Sequence, residues 1–571
     1  MKTRYIVPLL LFCLFACMAC EDDKTEMPRL FRPSFIASSC FAEDNTIALA
    51  WRTSGEATSY TVELSQDATF QSEKLETQTV EHGKCVFTNL RYETKFYARV
   101  RANNESLAIT SNWTEMGSFI STLSRTIPKI LYAVEDSRIS ETSVEIKWVV
   151  SEKNPVDGLA IWEEGTTEER QISLENASAG QYTITGLTPR TTYYVALTNS
   201  AAPEGAEKYN QQRFTTAGMP ADAVVVEDGV DLMDKIKAGM TDASKQALVF
   251  QLKNGVDYYL TAGGEVAAKT GDIKLTKSIA LLANPGERPT LYIREGCFNV
   301  KPESGNMPDI EYFVVDNVNI KETWTDSKPS KGSKTRLLNI GKHDAGTDFT
   351  IDRFEITNSD IVLPSAVLMM SDASEGVTTI NHIRIDNCLV SGINTSAVSK
   401  QFGFIHAINK GSNVWNDVSV TNSTFYEFYI SPGVFGAPTA NVPIAAGNKV
   451  VISNCTFYNW GSNKDGKNTY RAVGNFSKLT APLNLSVNNC VFGSSESKVL
   501  DAGGINLSSK GNYCTSDFEK MSDAGLTLIS LDTDDASLFR NIEENDFTVI
   551  DAESVIYKSE YGDLRWITVL D

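Results

Sequence analysis

One short pattern returns six times in the last 260 or so residues and limits what the chain can become. It consists of two apolar residues in alternation, an Asn, a small residue, then further apolar residues. It reads FVVDNVNI at 313, FEITNSDI at 354, IRIDNCLV at 383, VSVTNSTF at 418, VVISNCTF at 450 and LSVNNCVF at 485. Aligned on Asn317, Asn358, Asn387, Asn422, Asn454 and Asn489, the copies lie 29 to 41 residues apart. That irregular spacing fits a solenoid whose coils carry loops of different length. If Ile383 and Ile385 point inward, then His382, Arg384 and Asp386 point outward, because strand side chains alternate. The Asn then sits at a bend, where it tolerates left-handed backbone and can bond the next coil's Asn in a ladder.

Between these copies runs a second kind of apolar segment: TRLLNIGK at 335, SAVLMMSDA at 365, FGFIHAINKG at 402, VPIAAGNK at 442 and YRAVGNFSK at 470. Two strand types alternating along the chain predict a parallel β-helix. Upstream, Leu232, Met233, Ile236 and Met240 recur at helical spacing, which predicts a short amphipathic helix covering the first coil.

At 571 residues the chain exceeds one core. Its first residues, MKTRYIVPLLLFCLFACMAC, join a basic start to an apolar run too short to span a bilayer as a mature helix. The run ends at Cys20 before Glu21-Asp22-Asp23 and resembles a bacterial lipoprotein cleavage box, with Cys20 as the lipidated residue. An ordinary secretory peptide, or lipidation at Cys17, are the alternatives. The acidic residues after Cys20 resemble the export signal of Bacteroidetes-type surface lipoproteins, which implies an outer-membrane, cell-surface protein tethered through residues 20–30.

Residues 31–122 carry brief alternating segments with Trp51, Leu90, Phe96 and Trp113, and resemble a fibronectin type III sandwich. Residues 127–216 repeat the pattern with Trp148 and the stretch GLTPRTTYYVAL. Trp51 and Trp148 read as core. The modules read as spacers, or as carbohydrate binders through Trp113 or Trp162. Residues 221–571 resemble pectate-lyase-like right-handed β-helices, and the ending Tyr561-Gly562-Asp563-Leu564-Arg565-Trp566 is similar to that of a Bacteroidetes family of unknown function, with Leu564 in place of Pro. The expected class is therefore all-β: two fibronectin type III sandwiches, then a right-handed parallel β-helix with an N-terminal capping helix.

The formal charge of −20 argues against nucleic acid as a partner. Seven cysteines follow Cys20, an odd number scattered over a long chain, so no disulfide scaffold is indicated. Beyond Cys20 neither a CxxC nor a spaced His pair suggests a metal site. Cys388, Cys455 and Cys490 each follow the aligned Asn and read as stacked, buried small residues.

The β-helix resemblance implies chemistry on uronate-containing glycans, with Ca²⁺ as a possible companion of a bound uronate. The pectate-lyase base motif and the polygalacturonase motifs do not occur. His382, Arg384 and Asp386 form the nearest catalytic constellation, flanked by Arg353 and Glu355 on one side and Asp417 and Ser419 on the other. They read more readily as a solvated face. Basic residues of the second segments (Lys342, His343, His406, Lys410, Lys449, Arg471, Lys478) lie near aromatic Tyr426, Tyr429, Tyr458, Trp460 and Tyr470, a combination suited to acidic sugar chains. The expected glycan-binding set is Lys410, Tyr426, Tyr429, Tyr458, Trp460, Tyr470 and Arg471. Three functions remain open: a non-catalytic glycan-binding lipoprotein of a polysaccharide-utilisation system, working beside outer-membrane glycan transporters; a surface polysaccharide lyase using Arg384 or a Lys as base; and an adhesin binding protein.

Overall fold

A computed structural model describes residues 29–260, 273–293, 298–322, 336–364, 367–372, 375–393, 403–408, 412–429, 433–436, 449–461, 470–476, 483–495, 498–501, 503, 505–518 and 526–570. Cys20, Lys410 and Lys478 lie outside these residues. By internal contacts the chain divides into two units, residues 1–125 with 200–207, and residues 126–199 with 208–571.

The first unit holds an antiparallel β-sandwich, fibronectin type III-like in its two sheets of four and five strands. Trp51 is 2% exposed and packs against Tyr60 at 5.6 Å between ring centres. Trp113 is covered by Arg99 and Arg101, whose guanidinium carbons sit 4.4 and 4.7 Å from its ring. Both flat faces of a free sugar platform are not on offer there.

In the second unit, strands Ser143–Lys147 and Gln181–Thr185 face a four-stranded sheet ordered Arg170–Ser173, Gly158–Glu163, Thr192–Thr198, Lys208–Thr215. Trp148 is core, and the Tyr193 hydroxyl accepts a bond from the Thr188 amide at 3.0 Å, tying strand to corner.

The rest of this unit is a parallel β-helix of three sheets. Sheet A has ten strands, from Val224–Val226 to Ile505–Lys510. Sheet B has ten, from Asp257–Tyr259 to Ile529–Ser530. Sheet C has eight, from Ile273–Lys274 to Lys498–Asp501. Each coil thus contributes three strands where the sequence suggested two. The extra strand is the apolar tail of the Asn motif, which turns at the Asn and continues as sheet B. The segment VPIAAGNK lies outside the described residues except for Lys449, and the described sheet C strand of that coil is Phe435–Gly436. All pairings in the three sheets are parallel, and crossovers of that kind are right-handed by the general rule for L-residues.

The register confirms the alternation. Phe313, Phe354, Ile383, Val418, Val450 and Leu485 form one inward column of sheet A, each buried. In sheet B, Phe425, Phe457 and Phe492 stack ring on ring at 5.2 and 5.1 Å. All six aligned Asn residues have positive φ, between 47° and 58°, the left-handed bend that Asn adopts at less cost than most residues. The helix Leu232–Thr241 buries Leu232, Met233, Ile236 and Met240, and Asp231 caps it by accepting from the Asp234 amide at 3.0 Å. Cys388, Cys455 and Cys490 are fully buried, and all six described cysteines are free thiols.

Candidate functional site

Three outer faces could carry a site, and the fold uses much of two of them. On sheet A, the residue before each Asn alternates between acid and hydroxyl over the first four copies: Asp316, Thr357, Asp386, Thr421. Each Asp accepts from the Thr and the Asn of the next coil. Asp316 takes Thr357 at 2.7 Å and Asn358 at 2.8 Å; Asp386 takes Thr421 at 2.6 Å and Asn422 at 2.9 Å. Among the aligned Asn residues the direct Asn to Asn rung is Asn387 to Asn358, at 2.8 Å. Skipping a coil keeps the two carboxylates about 10 Å apart, roughly twice the strand spacing, and limits their repulsion.

The second sandwich reads those two acids. Arg190 reaches Asp316 at 2.8 Å and Arg213 reaches Asp386 at 2.5 Å. Arg213 also holds Glu164 at 2.9 Å, and Arg384 bonds both Glu164 at 2.6 Å and Asp386 at 3.0 Å. Burial opposes the charge on Asp386, but Arg213 and Arg384 outweigh it and hold the carboxyl below its usual range. For Glu164 burial is likewise overcome, mainly by Arg213.

The neighbours expected for the constellation are correct in register: Arg353 and Glu355 on one side, Asp417 and Ser419 on the other. Its environment is not the solvated face expected. Asp386 is 0% exposed, and Arg384 is committed to two carboxylates, so neither is free to meet a substrate; only His382 stays open, 3.7 Å from Asp417.

On sheet B, the C-terminal segment lies over the later coils. Gly562 donates to the Asn489 carbonyl, Asp563 bonds Thr456 and Thr424, Trp566 Nε1 donates to Thr424 at 2.7 Å, and Arg565 donates to Asn387 at 3.0 Å. Phe547 covers Tyr426 and Tyr458, each at 5.4 Å between ring centres.

The expected aromatic platform is therefore corrected. Tyr426 is buried and Tyr458 half-buried beneath Phe547. Trp460 is 0% exposed inside the solenoid, donating from Nε1 to the Lys498 carbonyl at 2.9 Å. Tyr470 is core, with half-buried Tyr429 edge-on to it, and Arg471 is paired with Asp501. These aromatics supply burial first, because each coil has few other ways to fill its corners.

On sheet C one column runs Lys274, Asn299, Asn339, Met370, His406, Gly436, Asn475 and Asp501 in register, with Met370, His406 and Gly436 buried. Arg336 Nη1 donates to Asn339 Oδ1, and Asn339 Nδ2 donates to Asn299 Oδ1 at 2.8 Å. The chain of bonds ends in donors alone. Arg336 Nε and Asn299 Nδ2 are buried without a partner, and among the described residues no carboxylate forms an ion pair with Arg336. Burial lowers the pKa of Arg336, although Asp372 partly offsets it. His406 sits further along; burial, then Arg336, pushes its imidazole down to about 3, so it is neutral. Its Nδ1 accepts from the Gly403 amide at 3.0 Å, which leaves the proton on Nε2. Gly436 makes room for that ring: a Cβ there would lie 2.3 Å from Nδ1.

His406 is the basic member of this column that the sequence anticipates; Arg471 lies on the same sheet but in register with Lys498. Arg336, Asn299 and Asn339 were not anticipated. The available signal was an Arg opening TRLLNIGK with an Asn three residues on.

No family model matches the chain, and no curated protein matches it. Solved structures that it resembles include the FN1-FN3 domains of chicken CNTN1, at 15% identity over 34% of this chain and 68% of that one, with a TM-score of 0.15. A two fibronectin type III domain segment of chicken tenascin matches at 16% identity over 33% of this chain and all of that one, with a TM-score of 0.19. The fn3 domain of human collagen alpha-1(XX) chain matches at 16% identity over 18% of this chain and 94% of that one, with a TM-score of 0.15. At those scores the fold assignment rests on the strand pairing itself.

Proposed function

We propose that this chain is a cell-surface lipoprotein that binds an acidic, pectic polysaccharide without cleaving it, with the sandwich modules as spacers and the outer face of sheet C as the binding face. The observation that carries this reading is the pair of buried, unpartnered donors, Arg336 Nε and Asn299 Nδ2, at the end of a hydrogen-bond chain. Unpaired buried donors are costly, and a uronate carboxylate would satisfy such a donor with a charge-assisted bond. The lipobox-like start ending at Cys20 supports display on the outer membrane beside glycan transporters.

The test is affinity electrophoresis and calorimetry with polygalacturonate and with its fully methyl-esterified form. The acid form is expected to bind and the ester not. Arg336→Ala should weaken binding by about 10- to 100-fold, the worth of a hydrogen bond to a charged group. Equal binding by Arg336→Ala, or no binding of any uronate polymer, would sink the proposal.

The lyase reading keeps one specific support, and it moves from Arg384 to Arg336. Arg384 is held protonated by Asp386 and Glu164, whereas Arg336 has no ion-paired carboxylate among the described residues. Growth of the unsaturated-uronate absorbance on incubation with polygalacturonate, lost in Arg336→Ala, would establish that reading instead.

A further inference from the structure

A second group of orphaned oxygens lies at the far end of sheet B, away from the glycan face. Asp535 opens the short helix Asp535–Leu538 and is 1% exposed. Its Oδ2 accepts from the Ser494 amide at 2.8 Å, and its Oδ1 has no partner. The Asp517 carboxylate, on the exposed side, accepts from the Asp535 amide at 3.3 Å and lies within hydrogen-bond reach of the Asp535 carboxyl. Thr515, also 1% exposed, sets its hydroxyl against the same carboxyl without an aligned bond, leaving Oγ1 unpartnered as well. Gly493 provides the room, since a Cβ there would lie 2.8 Å from Asp535 Oδ1 and 2.9 Å from the Tyr458 ring.

Two carboxylates held this close must share something positive. A single proton is one possibility: burial first, with Asp517 adding to it, raises the Asp535 carboxyl to about 7. A proton bridging the two acids would leave the Thr515 hydroxyl to donate to the Asp535 carboxyl, whereas a cation would take the lone pairs of all three groups together. A larger cation accepts several oxygens at once, and every donor here is a hard oxygen, two of them on separate buried side chains.

We propose that Asp517, Asp535 and Thr515 bind one divalent cation of the calcium type, which pins the C-terminal segment to the Gly493–Ser494 edge of sheet B. Water and backbone carbonyls would complete the six to eight ligands calcium takes. Among the described residues only two acids meet here. The expected Kd is therefore in the weak range of extracellular calcium modules, on the order of 0.1 to 1 mM. Exposed Asp517 gives the ion a way in.

The experiment uses the full chain stripped with chelator. Ca²⁺ alone is titrated by calorimetry at pH 7.5, and Tm is followed with Ca²⁺ and with Mg²⁺. The expected result is a single site with a rise in Tm for Ca²⁺, and affinity at least tenfold lower in Asp517→Asn and in Asp535→Asn. Asp517 is exposed, so its variant should fold and keeps the test decisive if Asp535→Asn does not. Two results overturn the proposal: no calorimetric or Tm response of the folded wild type to Ca²⁺, which assigns the pair to a shared proton, or a response unchanged in Asp517→Asn, which places the ion elsewhere.

Discussion

Replacing Asp386 with Asn is the sharpest probe of how the second sandwich is joined to the β-helix. Asp386 is fully buried and accepts four bonds: Arg213 and Arg384 on Oδ2, Thr421 and Asn422 on Oδ1. An Asn of the same shape keeps the two Oδ1 bonds. It puts an NH₂ group where Oδ2 was, facing two guanidinium groups that can only donate. Removing one partner of a buried ion pair costs about 3 to 5 kcal/mol, mostly because the other charge is left uncompensated. Arg384 and Arg213 both retain Glu164, at 2.6 and 2.9 Å, so the loss is shared between the two guanidinium groups. The double variant Arg213→Met with Asp386→Asn should therefore recover part of the loss, with a coupling on the order of 1 to 3 kcal/mol. Hydrogen exchange of strand Val377–Asp386 in the full chain reads the local opening free energy directly, which avoids assuming a single two-state transition for several domains. A change below about 1 kcal/mol for Asp386→Asn, or simple additivity in the double variant, would refute the view that the ladder acid anchors the module.

The Asn bends separate backbone from side-chain effects. Asn387→Gly should lose the ladder bond to Asn358 and the bond from Arg565, about 2 to 4 kcal/mol, whereas Asn387→Ala must also hold φ near 52°, adding roughly 1 to 2 kcal/mol; chemical unfolding midpoints should rank them in that order. Trp460→Ala should destabilise the solenoid by about 3 to 5 kcal/mol and leave polygalacturonate affinity of the folded fraction unchanged, measurable by thermal melts beside calorimetry. Lowering the pH should loosen the sandwich junction. Asp386 and Glu164 have depressed pKa values in the folded state, so their contribution is present above the unfolded carboxylate range near 4 and is lost as pH falls through the lower folded values. Exchange at strand Val377–Asp386 should accelerate below about pH 4. Cys388 should resist thiol reagents in the native state, because burial raises its pKa to about 12, and react fully on unfolding.

The amino-acid sequence by itself determined the solenoid. Alternating apolar pairs ending at an Asn specify an inward face, an outward face and a left-handed bend within eight residues, all local properties of the backbone. The same locality made the cap Leu232–Thr241 and the register of Arg353, His382 and Asp417 legible. What no local pattern could contain is which outward face meets solvent. Asp386 looks like a surface acid until Arg213, 173 residues earlier, arrives above it, and Tyr426 looks like a sugar platform until Phe547 covers it. The third strand of each coil was hidden because the motif's tail runs into the turn without a break in apolar character. Arg336 and Asn299 lie 37 residues apart and come together on sheet C only when the coil returns one strand spacing above itself. Sequence sets the period of the helix; the burial of one distant surface by another decides which residues are left to act.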